Sequence, residues 1–256
     1  MLWLYDGWTA SPQKERALPD GSVDLIINLA EDETRLYDAS DIDRVQRYGG
    51  AIVSGPHSKF FVIDGEEQTS VIGVHFKPGG AYAFLGPPSD ELADRHVTLS
   101  DMWGRAAREL RERVLEAPTP DAKLDVLEVE LLARLADKRA RHPAVGFALN
   151  EFRRGPSTRR VSDVSGEIGL SPRRFIELFK QQVGLTPKLF CRVRRFQRVL
   201  RRIYRREEIE WADLALSCGY FDQAHFIHDF KAFSGINPTA YVAAGGRHQN
   251  HVPIEG

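Results

Sequence analysis

The stretch GYFDQAHFIHDFKAFSGINP, residues 219–238, decides how the rest of the sequence is interpreted. Phe226, Phe230 and Phe233 recur at the spacing of one helix face, which predicts that this face is buried. A glycine and a proline follow, as is typical of a helix end. His225 and His228 lie three residues apart, so they share one side of the helix. The pair fits either a metal site or a surface that contacts a partner.

A second copy of this pattern occurs earlier in the chain. DVSGEIGLSPRRFIELFKQQVGLTPKLF, residues 163–190, aligns with DLALSCGYFDQAHFIHDFKAFSGINPTAY, residues 213–241, once one inserted residue is allowed. The matched pairs are Asp163 with Asp213, Gly169 with Gly219, Phe175 with Phe226, Phe179 with Phe230, Lys180 with Lys231, Gly184 with Gly235 and Pro187 with Pro238. Each copy predicts a short helix, a glycine turn and a second helix, which is a helix-turn-helix unit.

The two copies are joined by a strongly basic helix. KLFCRVRRFQRVLRRIYRR, residues 188–206, contains nine Lys or Arg among 19 residues and no acid. A solvated charged face normally mixes both signs of charge, so this run favours contact with the phosphates of a nucleic acid.

The charge is distributed unevenly between the two halves. Residues 141–256 contain 19 basic and 11 acidic residues, a net charge of +8, whereas residues 1–140 contain 16 and 25, a net charge of −9. This division indicates a polyanion-binding module joined to a part with another task.

The first half predicts a β-rich domain followed by helices. Short strand candidates separated by turn residues are SVDLIINLA (22–30), GAIVSG (50–55), KFFVID (59–64), SVIGVHF (70–76) and AYAFLG (81–86). Helical patterns follow at residues 99–117 and 119–138, and a domain boundary is expected near residues 139–143. The stripe Leu124, Leu127, Leu131 and Leu135 is too short for a sustained heptad repeat, so it favours packing within the chain over a dimer seam.

Composition argues against secretion and membrane insertion. No apolar run approaches the ~20 residues that a membrane span needs, and the N-terminus has no basic segment followed by an apolar core. The two cysteines, Cys191 and Cys218, are too few for a disulfide framework. We therefore expect a cytoplasmic protein with two packed thiols.

The paired units, the basic helix and the stretch at 219–241 together resemble the AraC/XylS family of bacterial transcription regulators. The resemblance covers residues 142–245 and implies sequence-specific binding of double-stranded DNA, with recognition helices at 172–183 and 222–233 in successive segments of the major groove. The implied fold class is α+β. The implied domains are a β-rich domain at 1–140, an all-α domain at 141–245 with two helix-turn-helix units joined by a linker helix, and a flexible tail at 246–256.

On this interpretation the exposed polar residues of the recognition helices and of the basic helix between them contact DNA. The candidates for reading base edges are Arg173, Arg174, Glu177, Gln223, His225 and His228. The candidates for contacting phosphates are Lys180, Arg192, Arg194, Arg195, Arg198 and Lys231.

The first half resembles a sensor domain of unknown function that precedes some AraC-type DNA-binding domains. The resemblance rests on LPDGSVDLIINL (18–29) and GVHFKPGGAYAFLGPPSDELADRHVTL (73–99), and implies a cupin-like β-rich fold that senses a small molecule or pairs subunits. A homodimer and a contact with RNA polymerase would fit such a regulator. The candidate pocket residues are Asp24, Asn28, His75, Tyr82 and Phe84.

The alternative is a cupin-type metal enzyme in the first half. Metal cupins usually carry an H-x-H pair, whereas His57, His75 and His96 are isolated in the sequence. His75 fits a strand histidine with an ordinary hydrogen bond, and Asp229 is expected to point away from the histidines of its helix. We therefore expect no metal site, no cofactor and no enzymatic activity.

Overall fold

The computed structural model describes residues 1–7, 13–65, 69–135, 140–154, 159–204, 209–246 and 248–254. Its first half is rich in short strands. They are β1 (Leu2–Asp6), β2 (Lys14–Ala17), β3 (Val23–Asn28), β4 (Glu33–Tyr37), β5 (Val45–Gly49), β6 (Ala51–Ser54), β7 (Phe61–Asp64), β8 (Ser70–Phe76) and β9 (His96–Thr98).

The strands form two antiparallel sheets of five. One has the order β1-β8-β3-β6-β9 and the other has the order β10-β2-β7-β4-β5, in which β10 (His251–Pro253) comes from the far end of the chain. Strand β3 shows how alternation builds the layers. Val23, Leu25 and Ile27 pack against helices, whereas Ile26 packs toward the second sheet.

The helices that follow cover the outer face of the first sheet. They are α1 (Tyr82–Leu85), a 3-10 turn (Ser89–Leu92), α2 (Leu99–Trp103), α3 (Arg105–Glu116) and α4 (Pro120–Leu135). The prediction of a strand at 81–86 is wrong, because α1 occupies that place. The helix predicted at 99–117 is interrupted at Gly104, whose φ of 58° ends one helix and starts the next.

The second half is helical, as predicted. Its helices are α5 (Pro143–Arg154), α6 (Val161–Ile168), α7 (Pro172–Val183), α8 (Pro187–Ile203), α9 (Trp211–Cys218), α10 (Gln223–Ser234) and α11 (Pro238–Ala244). The last two residues of the basic run, 205 and 206, lie outside the described residues. The predicted recognition helices coincide with α7 and α10.

The two helix-turn-helix units have matching local structure. Gly169 and Gly219 end α6 and α9 in the left-handed conformation, with φ of 72° and 89°. The side chains of Ser171 and Asp222 then accept a hydrogen bond from the backbone of the third residue of α7 and α10. The fold class is therefore confirmed: a β-rich part followed by two helix-turn-helix units joined by α8.

A cluster of phenylalanines holds the helical part together. Phe226, Phe230 and Phe233 are fully buried, as their spacing predicted. Phe196 of α8 packs edge-on against Phe230, with ring centroids 5.2 Å apart, and tilts against Phe233 at the same distance. The apolar stripe of the linker helix α8 thus forms the surface against which the second unit packs.

The last described segment does not form a flexible tail. In β10, His251 pairs with Ala17 and Pro253 pairs with Glu15, so this strand extends the second sheet. Val252 is 1% exposed and lies in the same apolar cluster as the helices. The prediction of a flexible tail at 246–256 is therefore wrong for the described residues; residues 247, 255 and 256 lie outside the described part. The sequence did not indicate this strand, because pairing with a strand at the other end of the chain leaves no local pattern.

Contacts join the two halves at several further points. Gln197 of α8 donates hydrogen bonds to Pro19 O and Asn250 Oδ1, both at 2.9 Å. Phe60 N donates to Phe233 O at 2.9 Å. At the predicted boundary, Arg141 donates to Gly79 O at 3.1 Å, whereas residue 139 lies outside the described residues. Of the helices that the structure describes, none is both long and apolar enough to cross a membrane.

Candidate nucleic-acid interface

The first recognition helix presents a polar face to solvent. Arg173, Arg174, Glu177 and Lys180 are exposed on α7, opposite the buried Phe175 and Phe179. Glu177 lies 3.0 Å from Arg173 and 3.9 Å from Arg174, so its carboxylate holds both guanidinium groups on this face. Such i, i+4 and i, i+3 pairs are weak in water and open readily for another partner.

The second recognition helix presents a more neutral face. Gln223, His228 and Lys231 are exposed on α10, whereas His225 is half-buried against the ring of Tyr220. The sequence therefore identified correctly which side of each helix is exposed. The role of these residues in reading bases stays a prediction.

One acid on α10 lies on the buried side. The Asp229 side chain is 3% exposed and lies 2.7 Å from the Arg192 guanidinium, 3.7 Å from that of Arg195 and 3.9 Å from His225 Nε2. The expectation that Asp229 points away from the histidines is therefore wrong with respect to His225. The cluster is an ion pair network that ties α10 to α8.

The arginines of α8 consequently have partners within the protein. Arg192 and Arg195 engage Asp229, and Arg195 also lies over the Tyr220 ring. Arg198 is half-buried and also interacts with another group of the protein. The predicted phosphate contacts of these three residues stay predictions, and the structure adds a structural role for two of them. A basic run in the sequence does not distinguish an arginine that faces DNA from one that meets a buried acid.

The lysines of the recognition helices lie nearer the exposed faces. Lys231 is exposed on α10, and Lys180 on α7 lies 3.7 Å from Asp90 in the 3-10 turn of the first half. The end of α7 is fixed to the same turn by a hydrogen bond from Ser89 Oγ to Gln182 O. The first recognition helix is thus in direct contact with the β-rich part.

Comparison with known families supports this geometry. Residues 164–244 match the family model described as a helix-turn-helix domain. The match runs from α6 to the end of α11 and so includes both helix-turn-helix units. Residues 1–98 match a second model, described as a domain of unknown function (DUF6597). The resemblance of both halves noted in the sequence is therefore confirmed.

The helix-turn-helix domain is similar to part of a curated protein. "Probable transcriptional regulator LumQ" of Photobacterium leiognathi is 30% identical over 81 residues, which is 32% of this chain and 32% of that protein. The chain thus matches about a third of the length of this relative.

The chain also matches solved structures. ToxT from Vibrio cholerae matches with a TM-score of 0.46 and 12% identity, over 95% of this chain and 97% of that chain. A transcriptional regulator of the AraC-type DNA-binding domain-containing proteins, from Chromobacterium violaceum, matches with a TM-score of 0.36 and 22% identity, over 41% of this chain and 96% of that chain.

A cavity of about 490 Å³ lies between the helix-turn-helix domain and the β-rich part. Asp24 and His75 line it from neighbouring strands, and His75 Nδ1 lies 2.9 Å from Asp24 Oδ1, as expected of a strand histidine. This hydrogen bond raises the pKa of His75, because its effect is larger than the opposing effect of burial. Arg194, Gln197 and Arg201 of α8 line the other side.

Arg194 has an unusual position in this cavity. It is half-buried, and no described residue accepts a hydrogen bond from it or forms an ion pair with it. Burial, followed by the nearby charge of Arg201, lowers the pKa of Arg194. The predicted phosphate contact of Arg194 stays a prediction, since its side chain lines a cavity between the two halves.

Three of the predicted pocket residues lie elsewhere. Asn28 is buried and caps a turn, where its Oδ1 accepts hydrogen bonds from the backbone of Ala30 and Glu31. Phe84 packs on Phe76, with ring centroids 5.2 Å apart, and Tyr82 opens the short helix α1. Neither aromatic residue lines the cavity, because α1 replaces the strand on which the prediction placed them.

Two histidines that are isolated in the sequence meet in the structure. The rings of His57 and His96 lie 4.6 Å apart between the sheets, and His57 Nε2 is 3.2 Å from Ser54 Oγ. Burial lowers the pKa of His57 to about 4 and that of His96 well below its ordinary value. Within the described ranges, no three His, Cys, Asp or Glu side chains come together as a metal site would require.

Proposed function

We propose that this protein is a sequence-specific transcription regulator that binds double-stranded DNA. The observation that carries the proposal is the pair of recognition helices, α7 and α10, each held in a helix-turn-helix unit with a polar face exposed. The major groove of B-form DNA admits such a helix and displays a distinct pattern of donors and acceptors at each base pair. Two units on one chain fit two successive groove segments on one side of the duplex.

Within this proposal the exposed residues have separate tasks. Arg173, Arg174 and Gln223 are long, exposed donors that suit base edges, and His228 lies on the same exposed face of α10. Glu177 keeps the two arginines extended until DNA replaces it, or accepts from a cytosine amine. Lys180 and Lys231 occupy matched positions in the two copies and suit phosphates, which fix the position of each helix without reading sequence.

Selection from a random duplex library with the full chain, at near-physiological salt, tests the proposal. The expected product is a bipartite site whose halves lie about one helical turn apart. The Gln223→Ala variant should then lose roughly 1–3 kcal/mol at one base pair of one half. Gln46→Ala, on the exposed strand β5, is the matched control and should bind unchanged. Failure of the full chain to enrich any site, or an equal loss on random DNA, would contradict the proposal.

A phosphate role has a different signature. Lys231→Ala should weaken binding to all sequences about equally and should lower the slope of log affinity against log salt by about 0.9. A change in sequence preference instead would assign Lys231 to base reading.

We further propose that the cavity between the two halves binds a small effector with an anionic group. Arg194 supports this, because a half-buried guanidinium without a partner among the described residues gains most from an anion, and Arg201 adds a second positive charge nearby. Asp24 and His75 would fix the remainder of the ligand. A panel of small carboxylic acids should contain compounds that raise the melting temperature of the wild type but not of Arg194→Met. Equal shifts in both proteins would exclude Arg194.

Subunit pairing is proposed through helix α4. Leu127 and Leu131 are buried, whereas Val129 and Leu132 are exposed on another side of α4. Leu135 is exposed at the end of α4, so its predicted inward packing is wrong. A second copy of this chain would cover that apolar strip. Sedimentation should show a dimer that Leu132→Glu dissociates and that Ile42→Glu, at an exposed turn, leaves intact.

The remaining expectations follow from the same proposal. A regulator of this kind acts in the bacterial cytoplasm, where the chromosome lies, and we assign it no catalytic step. A contact with RNA polymerase stays a prediction.

A further inference from the structure

One large apolar side chain is exposed to solvent next to the second recognition helix. Phe221 is 85% exposed, more than any other large hydrophobic residue in the part of the chain that the structure describes. Burying such a ring is one of the larger favourable contributions that a side chain can make to folding, and the fold does not use it here.

Phe221 is an extra residue in the second helix-turn-helix unit. Ser171 and Asp222 cap α7 and α10 in the same way, so these two residues correspond. Between each cap and the preceding glycine the first unit has only Leu170, whereas the second has the buried Tyr220 and then Phe221. Phe221 is therefore the residue by which the two copies differ in length.

The Phe221 ring does not make the packing contact that is usual at its position. A hydrophobic residue just before a helix cap often packs on the fourth residue of the helix, which here is Phe226. Phe226 instead stacks on Trp211 at 6.0 Å and meets Tyr220 edge-on at 5.5 Å. These two rings take the place that the side chain of Phe221 would otherwise occupy.

The surroundings of Phe221 indicate what its partner is. The ring lies at the N-terminal end of α10, beside the exposed Gln223, and the N-terminal residues of a recognition helix are those that reach base edges. The exposed side of the helix carries His228 and Lys231 but no acid beyond the capping Asp222, whose side chain is engaged by the backbone of His225. Of the four bases, only thymine displays an apolar group in the major groove, its C5-methyl.

We propose that Phe221 contacts a thymine C5-methyl group in the half-site bound by α10, and so selects thymine there. The inference rests on the proposed function and adds an apolar reader to the polar ones. The first unit, which lacks the inserted residue, has no equivalent contact, so the preference belongs to one half-site only.

Replacement of thymine by uracil tests the contact, because it removes the methyl group and leaves every hydrogen-bonding group in place. In the duplex that the full chain selects, each thymine is replaced singly by uracil and the affinity is measured. At one position of one half-site, uracil should weaken the wild type about fourfold, the value for one buried methyl group. For Phe221→Ala the ratio of the two affinities should be about one, because the ring that senses the methyl is gone.

Two further variants make the result specific. Phe221→Leu keeps an apolar side chain and should retain part of the discrimination. Phe147→Ala removes another exposed phenylalanine, on α5, and should keep the full fourfold ratio. The inference is overturned if no thymine in the selected site responds to uracil, if Phe221→Ala still discriminates, or if the response lies in the half-site bound by α7. If the full chain selects no site at all, the proposed function fails first.

Discussion

Removal of the buried Asp229 carboxylate should destabilise the helical half far more than removal of an exposed carboxylate would. The side chain is 3% exposed and lies 2.7 Å from Arg192 and 3.7 Å from Arg195. Removing one partner of a buried ion pair leaves the other charge without compensation, which costs ~3–5 kcal/mol. The Arg192 and Arg195 side chains keep 32% and 19% exposure, so water partly screens the charge that is left. We therefore expect Asp229→Ala to lower the free energy of unfolding by ~3 kcal/mol, the lower end of that range.

Urea unfolding followed by far-ultraviolet circular dichroism measures this loss. A decrease of ~3 kcal/mol moves the midpoint by roughly 1 M or more at the slopes usual for urea. Glu177→Ala is the matched control: the acid lies on the other recognition helix and pairs with two arginines, but it is 51% exposed and should cost under ~1 kcal/mol.

A loss of less than ~1 kcal/mol in Asp229→Ala, or one no larger than that in Glu177→Ala, would contradict a stabilising role of this buried ion pair. A double variant provides a second check. Adding Arg192→Ala to Asp229→Ala should cost less than the sum of the two single changes, because the second change removes a charge that the first left without its partner.

Three further predictions concern the β-rich part and its contacts. Burial lowers the pKa of His57 to about 4, so from about pH 6.5 downward the unfolded chain binds a proton at this residue that the folded chain does not. Stability should therefore fall as the pH drops through this window, by at most ~1.4 kcal/mol per pH unit from this group. Between neutral and acid pH, the urea midpoint of His57→Gln should fall less than that of the wild type. A variant ending at residue 246 loses β10 and the buried Val252, and calorimetry should show a loss of ~2 kcal/mol or more. Gly184→Ala should destabilise by ~1 kcal/mol or more in the same measurement, because φ is +87° and the new methyl would lie 2.2 Å from Pro56, whereas Gly166→Ala, in open space on a helix, should not destabilise.

The helix-turn-helix units were predictable because their determinants are local. Each unit needs a glycine after its first helix, a capping residue and phenylalanines at helical spacing, and all of these lie within about 30 consecutive residues. The duplication supplied an independent check, since two copies agree at positions that chance would not pair. The exposed and buried faces of α7 and α10 followed from the same spacing.

The β-rich half was predicted only in class. Strands β3, β6, β7 and β8 carry apolar residues that mark them, whereas β2 (KERA) and β5 (VQRYG) are too polar and too short to be recognised. Their identity comes from partners far along the chain, such as β10, and no local pattern encodes that. The same limit hid the cavity, since part of its wall comes from α8, far along the chain from the strands.

The buried Asp229 shows a different limit. A run of arginines indicates a basic surface, but two of the side chains turn toward an acid more than 30 residues away. That acid lies between phenylalanines in the sequence, on the buried stripe of α10. An acid on a buried helix face was the one signal that could have identified the pairing.

The place of β10 in the second sheet sets an order of events during synthesis. Strand β2 has β7 on one side and β10 on the other, and more than 230 residues separate β2 from β10 along the chain. A ribosome adds roughly 5–20 residues per second, so β2 waits on the order of ten seconds or more with one edge uncovered. Throughout that interval the nascent β-rich half carries an exposed sheet edge of the kind that invites pairing with other chains. The sheet is completed only after both helix-turn-helix units have been synthesised, so every finished β-rich half already carries its helix-turn-helix domain.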